Sequence, residues 1–245
     1  MTDTQRRVAI VTGGSRGIGR AVSERLAADG QAVVIAYAGN DVEAKATVEA
    51  VEAAGGNAVA VQADVADETA VRSLFDLAEQ RFGGVDVVVN AAGIMVLSPL
   101  ADAGLDDLDR MFRTNLRGTF VIGREAARRV RSGGAIINFS TSVTRLNLPT
   151  YSGYAATKAA VEALSPILAK ELRGRDITVN AVAPGPTATS LFLDGKDQET
   201  IDRMAKMNPM ERLGRPEDIA EVVSSLAGPA RWINGQTIFV NGGVA

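Results

Sequence analysis

Residues 151 to 158 read YSGYAATK, and within them Tyr154 and Lys158 stand four apart. On a helix that spacing puts both side chains on one face, where their heads can converge. The chain contains no histidine and no cysteine. That excludes disulfides and thiolate catalysis, and it removes the commonest general base and metal ligand. Proton transfer falls to Asp, Glu, Lys or Tyr. A phenol titrating near pH ~10 is a poor acid–base group at neutrality, but an ammonium a few ångströms away favours the phenolate and lowers that value. The pair therefore predicts Tyr154 as a group that protonates a carbonyl oxygen, or deprotonates an alcohol in the reverse direction, with Lys158 tuning it. Tyr151 lies two turns from Lys158 and is expected to shape the pocket or to pack.

A second constellation sits near the start. VAIVTGGSRGIGRAV places Gly13, Gly17 and Gly19 between an apolar strand pattern and a helix. Glycine there lets backbone amides approach a pyrophosphate, and the helix N-terminus adds partial positive charge. The spacing is G-x-x-x-G-x-G rather than the usual G-x-G-x-x-G. Ser15, Arg16 and Ile18 complete the turn. A dinucleotide site that takes NAD carries an acid at the end of the second strand, about 20 residues on, for the ribose hydroxyls. Here that strand ends in Tyr37 and Ala38. No carboxylate stands there to repel a 2′-phosphate, and Arg16 can pair with one, so NADP(H) is preferred, with NAD(H) still possible. Asp64, followed by Val65 in QADVAD, is expected either to accept from an adenine amino group or to cap the next helix, a role equally open to Asp67. Asn90, Ala91, Ala92 and Gly93 form a small-residue floor after the fourth strand.

These groups need a frame. Seven short apolar runs fall at 8–12, 32–37, 58–62, 85–90, 135–140, 177–182 and 237–241. Helical patterns lie between them. Two of these, DVEAKATVEAVEAAGG and DETAVRSLFDLAEQRFGG, open near an Asp and close on a glycine pair that can supply a left-handed cap. Nearly continuous apolar strands mean burial on both faces, and strand–helix alternation with right-handed crossovers gives a doubly wound parallel sheet. The fold class predicted is α/β, a seven-stranded parallel sheet with helices on both faces, in a single domain over 1–245. Residues 186–215 break the rhythm and are expected to form a lid over the site.

Of the 245 residues, 46% are hydrophobic and 22% charged. That is ordinary globular usage and argues against long disorder. A net charge of −3, with basic residues interleaved among acids, gives no field for a phosphate backbone, so no nucleic-acid partner is expected. MTDTQRR leads into the first strand without a signal-peptide core, and no apolar run reaches the ~20 residues of a membrane span. The expectation is a cytoplasmic protein without membrane contact.

Taken together, TGGSRGIG, NAAG, STS and Y-x-x-x-K resemble a classical short-chain dehydrogenase/reductase, and the resemblance runs from the glycine turn to the closing VNGG. It is greatest to the NADPH-dependent 3-oxoacyl-(acyl-carrier-protein) reductase-like members. The resemblance implies a Rossmann sheet, hydride transfer without a metal, and a homotetramer. It implies Tyr154 as the catalytic tyrosine and Lys158 as the lysine that also binds the nicotinamide ribose. Asn115, in RTNLRG, matches the helix asparagine that holds a water in the proton relay. Pro184 and Gly185 match the pair near the nicotinamide, with Thr187 and Thr189 placed to bond its carboxamide or the phosphates. The family's serine, thirteen residues before the tyrosine, falls on Thr141, so Thr141 or Ser142 is expected to fill that role. Ser140 should point to the opposite side of the strand.

An apolar pocket is expected beside Leu97, Leu146, Leu148, Tyr151, Leu191 and Phe192, suiting an acyl-thioester or a small ketone or aldehyde. Acyl carrier protein is a possible partner if Arg128, Arg129, Arg131, Arg173 and Arg175 form a basic surface. The reading from a different class is a dinucleotide-binding sensor without turnover.

Overall fold

The computed structural model describes residues 6–245, so the first five residues of the N-terminal reading lie outside it. Seven strands, β1 (Val8–Thr12), β2 (Ala32–Tyr37), β3 (Asn57–Gln62), β4 (Val85–Asn90), β5 (Val130–Phe139), β6 (Thr178–Pro184) and β7 (Thr237–Val240), form one sheet in the order β3-β2-β1-β4-β5-β6-β7. Every neighbouring pair is parallel. Strand order reverses between β1 and β4, and in such sheets ligands bind beyond the carboxyl ends of the strands at that point.

Ten α-helices lie among the described residues: α1 (Gly17–Ala28), α2 (Asp41–Ala53), α3 (Glu68–Phe82), α4 (Leu105–Met111), α5 (Gly118–Arg129), α6 (Val143–Leu146), α7 (Ser152–Glu171), α8 (Ser190–Leu193), α9 (Gln198–Ala205) and α10 (Pro216–Ala227). The strand alternation decides which side each covers. Val8, Ile10 and Val34 pack with Leu74 and Phe75 of α3, Ile122 of α5 and Leu168 of α7. Their neighbours Ala9, Val11, Val33 and Ile35 pack with Val22 and Leu26 of α1, Val51 of α2 and Val223 of α10. Both faces are dry, which is why these strands read as unbroken apolar runs.

Helix punctuation is settled by hydrogen bonds. Asp67 caps α3, accepting from the amides of Thr69 and Ala70, and Gly83 closes it in the left-handed region. The cap of α2 is Asn40, accepting from Glu43 N, so Asp41 falls inside the first turn rather than at its head. Asp64 caps nothing. Its Oδ1 accepts from Ala66 N at 2.9 Å and its Oδ2 pairs with Arg113 at 2.9 Å. β5 is longer than the run at 135–140 because a bulge against β4 carries it back to Val130. Gly134 makes that bulge possible, since a Cβ there would press on the Asp86 carbonyl oxygen. No helix among the described residues is long and apolar enough to cross a membrane.

Candidate active site

A cleft of about 580 Å³ opens over the carboxyl ends of the strands. Its first wall is the glycine turn. Gly13 (φ +65°) lies against the backbone of Ala91 and Ala92, where a Cβ would come within 3.0 Å of Ala92 Cα. A Cβ on Gly19 would collide with the Gly13 carbonyl oxygen. The turn is held as a concave cradle at the N-terminus of α1, with Ser23 Oγ donating to Gly19 O at 3.0 Å. Arg16 is exposed on its rim with no ion pair in the described residues. Ser15, Ile18, Tyr37, Asp64 and Val65 line the same end. Among these residues sits Glu43, whose Oε2 is buried without a hydrogen-bond partner.

The opposite end holds the tyrosine–lysine pair of α7. Tyr154 and Lys158 are both buried on α7, and Lys158 Nζ lies 5.9 Å from the Tyr154 ring centre. Lys158 Nζ donates to Phe139 O at 2.8 Å, which fixes it to the last residue of β5. Burial pushes the Tyr154 phenol up to about 12; the neighbouring Tyr151 adds to the rise, and a hydrogen bond with Thr141 opposes it. Burial pushes Lys158 down to about 8. The expected depression of the tyrosine by the lysine is therefore absent from the chain alone. Loss of hydration dominates, and the phenol keeps its proton throughout the neutral range.

The three hydroxyls after β5 point three ways. Thr141 lines the cleft with Tyr154, and its Oγ1 lies 3.4 Å from Val143 N. Ser142 Oγ is 3.3 Å from Ala183 O and accepts from Asn241 Nδ2 at 3.2 Å, which turns it towards β6 and the C-terminus. Ser140 turns away to α7, donating to Glu162 Oε1 at 2.5 Å. Both candidates line the cleft; Ser142 is in addition bonded to β6 and Asn241, a tie that Thr141 does not share.

Asn90 and Asn115 do not line the cleft; they build its floor. Asn90 accepts from Thr12 Oγ1 at 2.9 Å, joining β4 to β1, and Thr12 Oγ1 in turn accepts from Ala92 N. Asn115 lies in a π-helical turn, Phe112–Arg117, between α4 and α5. Its side chain is bonded to both Ile94 N and Ile94 O at 2.9 Å and to Thr157 Oγ1 at 3.1 Å. With those contacts it ties the segment after β4 to α7; both amide hydrogens are donated, and Oδ1 keeps one further acceptor position. Gly93 is squeezed between Asn115 Oδ1 and Lys158 Nζ, at 3.2 and 3.4 Å from where its Cβ would stand.

Pro184, Gly185, Thr187 and Thr189 all line the cleft. Gly185 is required by the close approach of Asn241, 2.8 Å from its would-be Cβ. The two ends of the 186–215 excursion are stitched together by Gly214 N to Pro186 O and Ala188 N to Gly214 O, both under 3.0 Å. From it Thr189 lies over Gly17, and Leu191, Phe192 and Met204 enter the cleft. Leu146, Leu148 and Tyr151 line it as expected, whereas Leu97 does not and packs with the partly buried residues around Met111. Ile94, Met95, Val143 and Met204 are lining residues the sequence reading missed; in sequence they are indistinguishable from core positions.

Comparison with known proteins agrees with this geometry. Residues 13–245 match the family model described as enoyl-(acyl carrier protein) reductase. A short-chain type dehydrogenase/reductase of Picea abies is 44% identical, over 97% of this chain and 92% of its own. The NADPH-dependent aldehyde reductase 2, chloroplastic, of Arabidopsis thaliana is 44% identical, over 97% and 93%. A crystal structure of a short chain dehydrogenase from Burkholderia cenocepacia J2315 in complex with NADP superposes with a TM-score of 0.91 at 39% identity, covering 98% of each chain. With the glycine cradle at one end of the cleft and the Thr141–Tyr154–Lys158 cluster at the other, the chain belongs to the short-chain dehydrogenase/reductase family of oxidoreductases.

Proposed function

We propose that this protein is an NADPH-dependent reductase that converts a neutral, apolar ketone or aldehyde to the alcohol. The observation that carries the reading is Tyr154, buried beside Lys158 on α7 with its proton retained, in a cleft that Thr141 and the apolar Leu191, Phe192 and Met204 also line. The cofactor fits the residues present. Gly13, Ser15, Gly17, Ile18 and Gly19 offer backbone to the pyrophosphate, Arg16 pairs with the 2′-phosphate, and Tyr37, Asp64 and Val65 enclose the adenosine. Ala91 and Gly93 form the middle of the floor, Lys158 reaches the nicotinamide ribose, and Pro184, Gly185, Thr187 and Thr189 border the nicotinamide. NADPH supplies the hydride when bound.

The chain's own part is to polarise and protonate. Thr141 donates a hydrogen bond to the carbonyl oxygen, and Tyr154 gives that oxygen its proton. A phenol held at about 12 keeps its proton at neutral pH and so has one to give to the carbonyl oxygen. Lys158, lowered to about 8 by burial, still carries its charge at neutral pH. Asn115 acts by position, keeping Ile94 and Thr157 in place. We assign 186–215 as a lid whose Leu191, Phe192 and Met204 close the apolar side.

A free carbonyl suits this surface better than an acyl carrier protein. Arg128 pairs with Glu125, Arg129 with Asp76 and Glu79, and Arg131 with Asp86. Arg175 bonds the Ala127 and Val130 carbonyls. All stand at the amino end of β5 or the carboxyl end of α7, opposite the cleft. The test is NADPH oxidation against neutral apolar aldehydes and ketones in parallel with 3-oxoacyl thioesters. Faster turnover of the free carbonyls is expected. Preference for the thioesters would move the assignment to acyl reduction, and tight NADPH binding with no turnover would move it to a sensor. A homotetramer in the cytoplasm completes the proposal. Leu105 and Phe120 on α4 and α5, and Trp232 before β7, are exposed apolar side chains that an assembly would cover.

A further inference from the structure

Four residues beyond Lys158, one turn along α7, lies Glu162. Its Oε1 accepts from Ser140 Oγ at 2.5 Å and lies 2.8 Å from Thr144 Oγ1. Thr144 Oγ1 is also 2.9 Å from the Thr141 carbonyl oxygen. One carboxylate oxygen thus gathers hydroxyls from both sides of Thr141, the residue before it and the residue three after it. The backbone alone does not hold this turn on the α7 side. Ser140 N and Ser142 N bond to Val182 O and Pro184 O, so the main chain ties the segment towards β6. Toward α7 the ties are Lys158 Nζ on Phe139 O, the Glu162 carboxylate, and a longer approach of Ser140 Oγ to Lys158 O at 3.4 Å.

We infer that Glu162 is a positioning residue for carbonyl reduction, clamping the 140–144 turn so that the Thr141 hydroxyl meets Tyr154 and the substrate oxygen. The inference rests on the proposed role of Thr141. Glu162 does not line the cleft; its effect reaches the chemistry through the turn. A hydroxyl displaced by about 1 Å costs on the order of 100-fold in rate. A carboxylate accepting hydrogen bonds can be replaced by an amide oxygen but not by a methyl group.

The experiment is a double-mutant cycle with Thr141→Ala, together with Glu162→Ala and Glu162→Gln, on the best carbonyl substrate. Glu162→Ala should lower kcat roughly 10- to 100-fold while leaving NADPH affinity within about twofold. Glu162→Gln should recover to within about threefold of wild type. In the Thr141→Ala background Glu162→Ala should cost little more, because the group it positions is gone. Wild-type kcat in Glu162→Ala, or a full additional loss in the Thr141→Ala background, overturns the clamp. Wild-type kcat in Thr141→Ala removes the role of Thr141 itself and the clamp with it, whereas loss in Thr141→Ala with none in Glu162→Ala removes the clamp alone. A crystal structure of Glu162→Ala gives the same answer without turnover: a displaced Thr141 hydroxyl supports the clamp, and an unmoved turn rejects it.

Discussion

At the scale of single residues, the buried pair on α7 makes stability depend on pH with a definite sign. Lys158 titrates near 8 in the folded chain and at 10.5 when unfolded. Between those values the unfolded state binds more protons, so stability rises with pH across that window, by on the order of 3 kcal/mol in all. Tyr154 acts oppositely. Its phenol is held near 12 against 10.0 unfolded, so the native state keeps a proton that the unfolded state loses, and stability falls as pH climbs from 10 to 12. Chemical denaturation of the cofactor-free protein should therefore become harder between pH 8 and 10. Lys158→Met should flatten that rise, and an unchanged slope would show that Lys158 keeps its ordinary value. Arg16 gives a second residue-level prediction. Arg16→Ala should weaken NADPH binding about tenfold and leave NADH nearly untouched, as expected for the loss of one exposed charge-assisted bond. Equal losses for both cofactors would remove the 2′-phosphate contact.

At the scale of elements, the π turn at 112–117 matters because it carries Asn115 across to the segment after β4. Asn115→Ala would leave Ile94 N and O without their partner and should cost about 2–4 kcal/mol, with mobility spreading through Gly93 and Ile94. Protection of the Ile94 amide against hydrogen exchange measures it; full protection in the variant would mean another group holds that strand end. The sequence showed the strands well, because a parallel sheet buried on both faces writes itself as apolar runs. It also showed the glycine turn, where spacing alone demands close backbone approach. It did not show the π turn, which has no local signature in FRTNLR. Nor did it show Asn241 reaching back to Ser142, or Glu162 beneath Thr141. Each is a contact between residues far apart in the chain, made by a side chain ordinary for its own element. The same blindness explains Tyr154: a spacing of four shows that lysine and phenol share a face, but not that both are stripped of water.

At the scale of the whole molecule, one face of strand ends gathers the glycine cradle, the acid–base pair and the 186–215 segment, while the opposite end collects paired arginines. That polarity is what makes a doubly wound sheet a site for a dinucleotide. Assembly is open to direct measurement: sedimentation velocity should give a tetramer, and the emission of Trp232, the single tryptophan, should shift to the red on dilution to monomer if its interface includes that loop. The account as a whole turns on Tyr154. The most direct measurement is steady-state NADPH oxidation with the best apolar aldehyde or ketone, comparing wild type with Tyr154→Phe at equal cofactor saturation. A fall in kcat of roughly 1,000-fold with unchanged NADPH affinity is predicted; turnover by Tyr154→Phe close to wild type would contradict the assignment of Tyr154 as the proton donor.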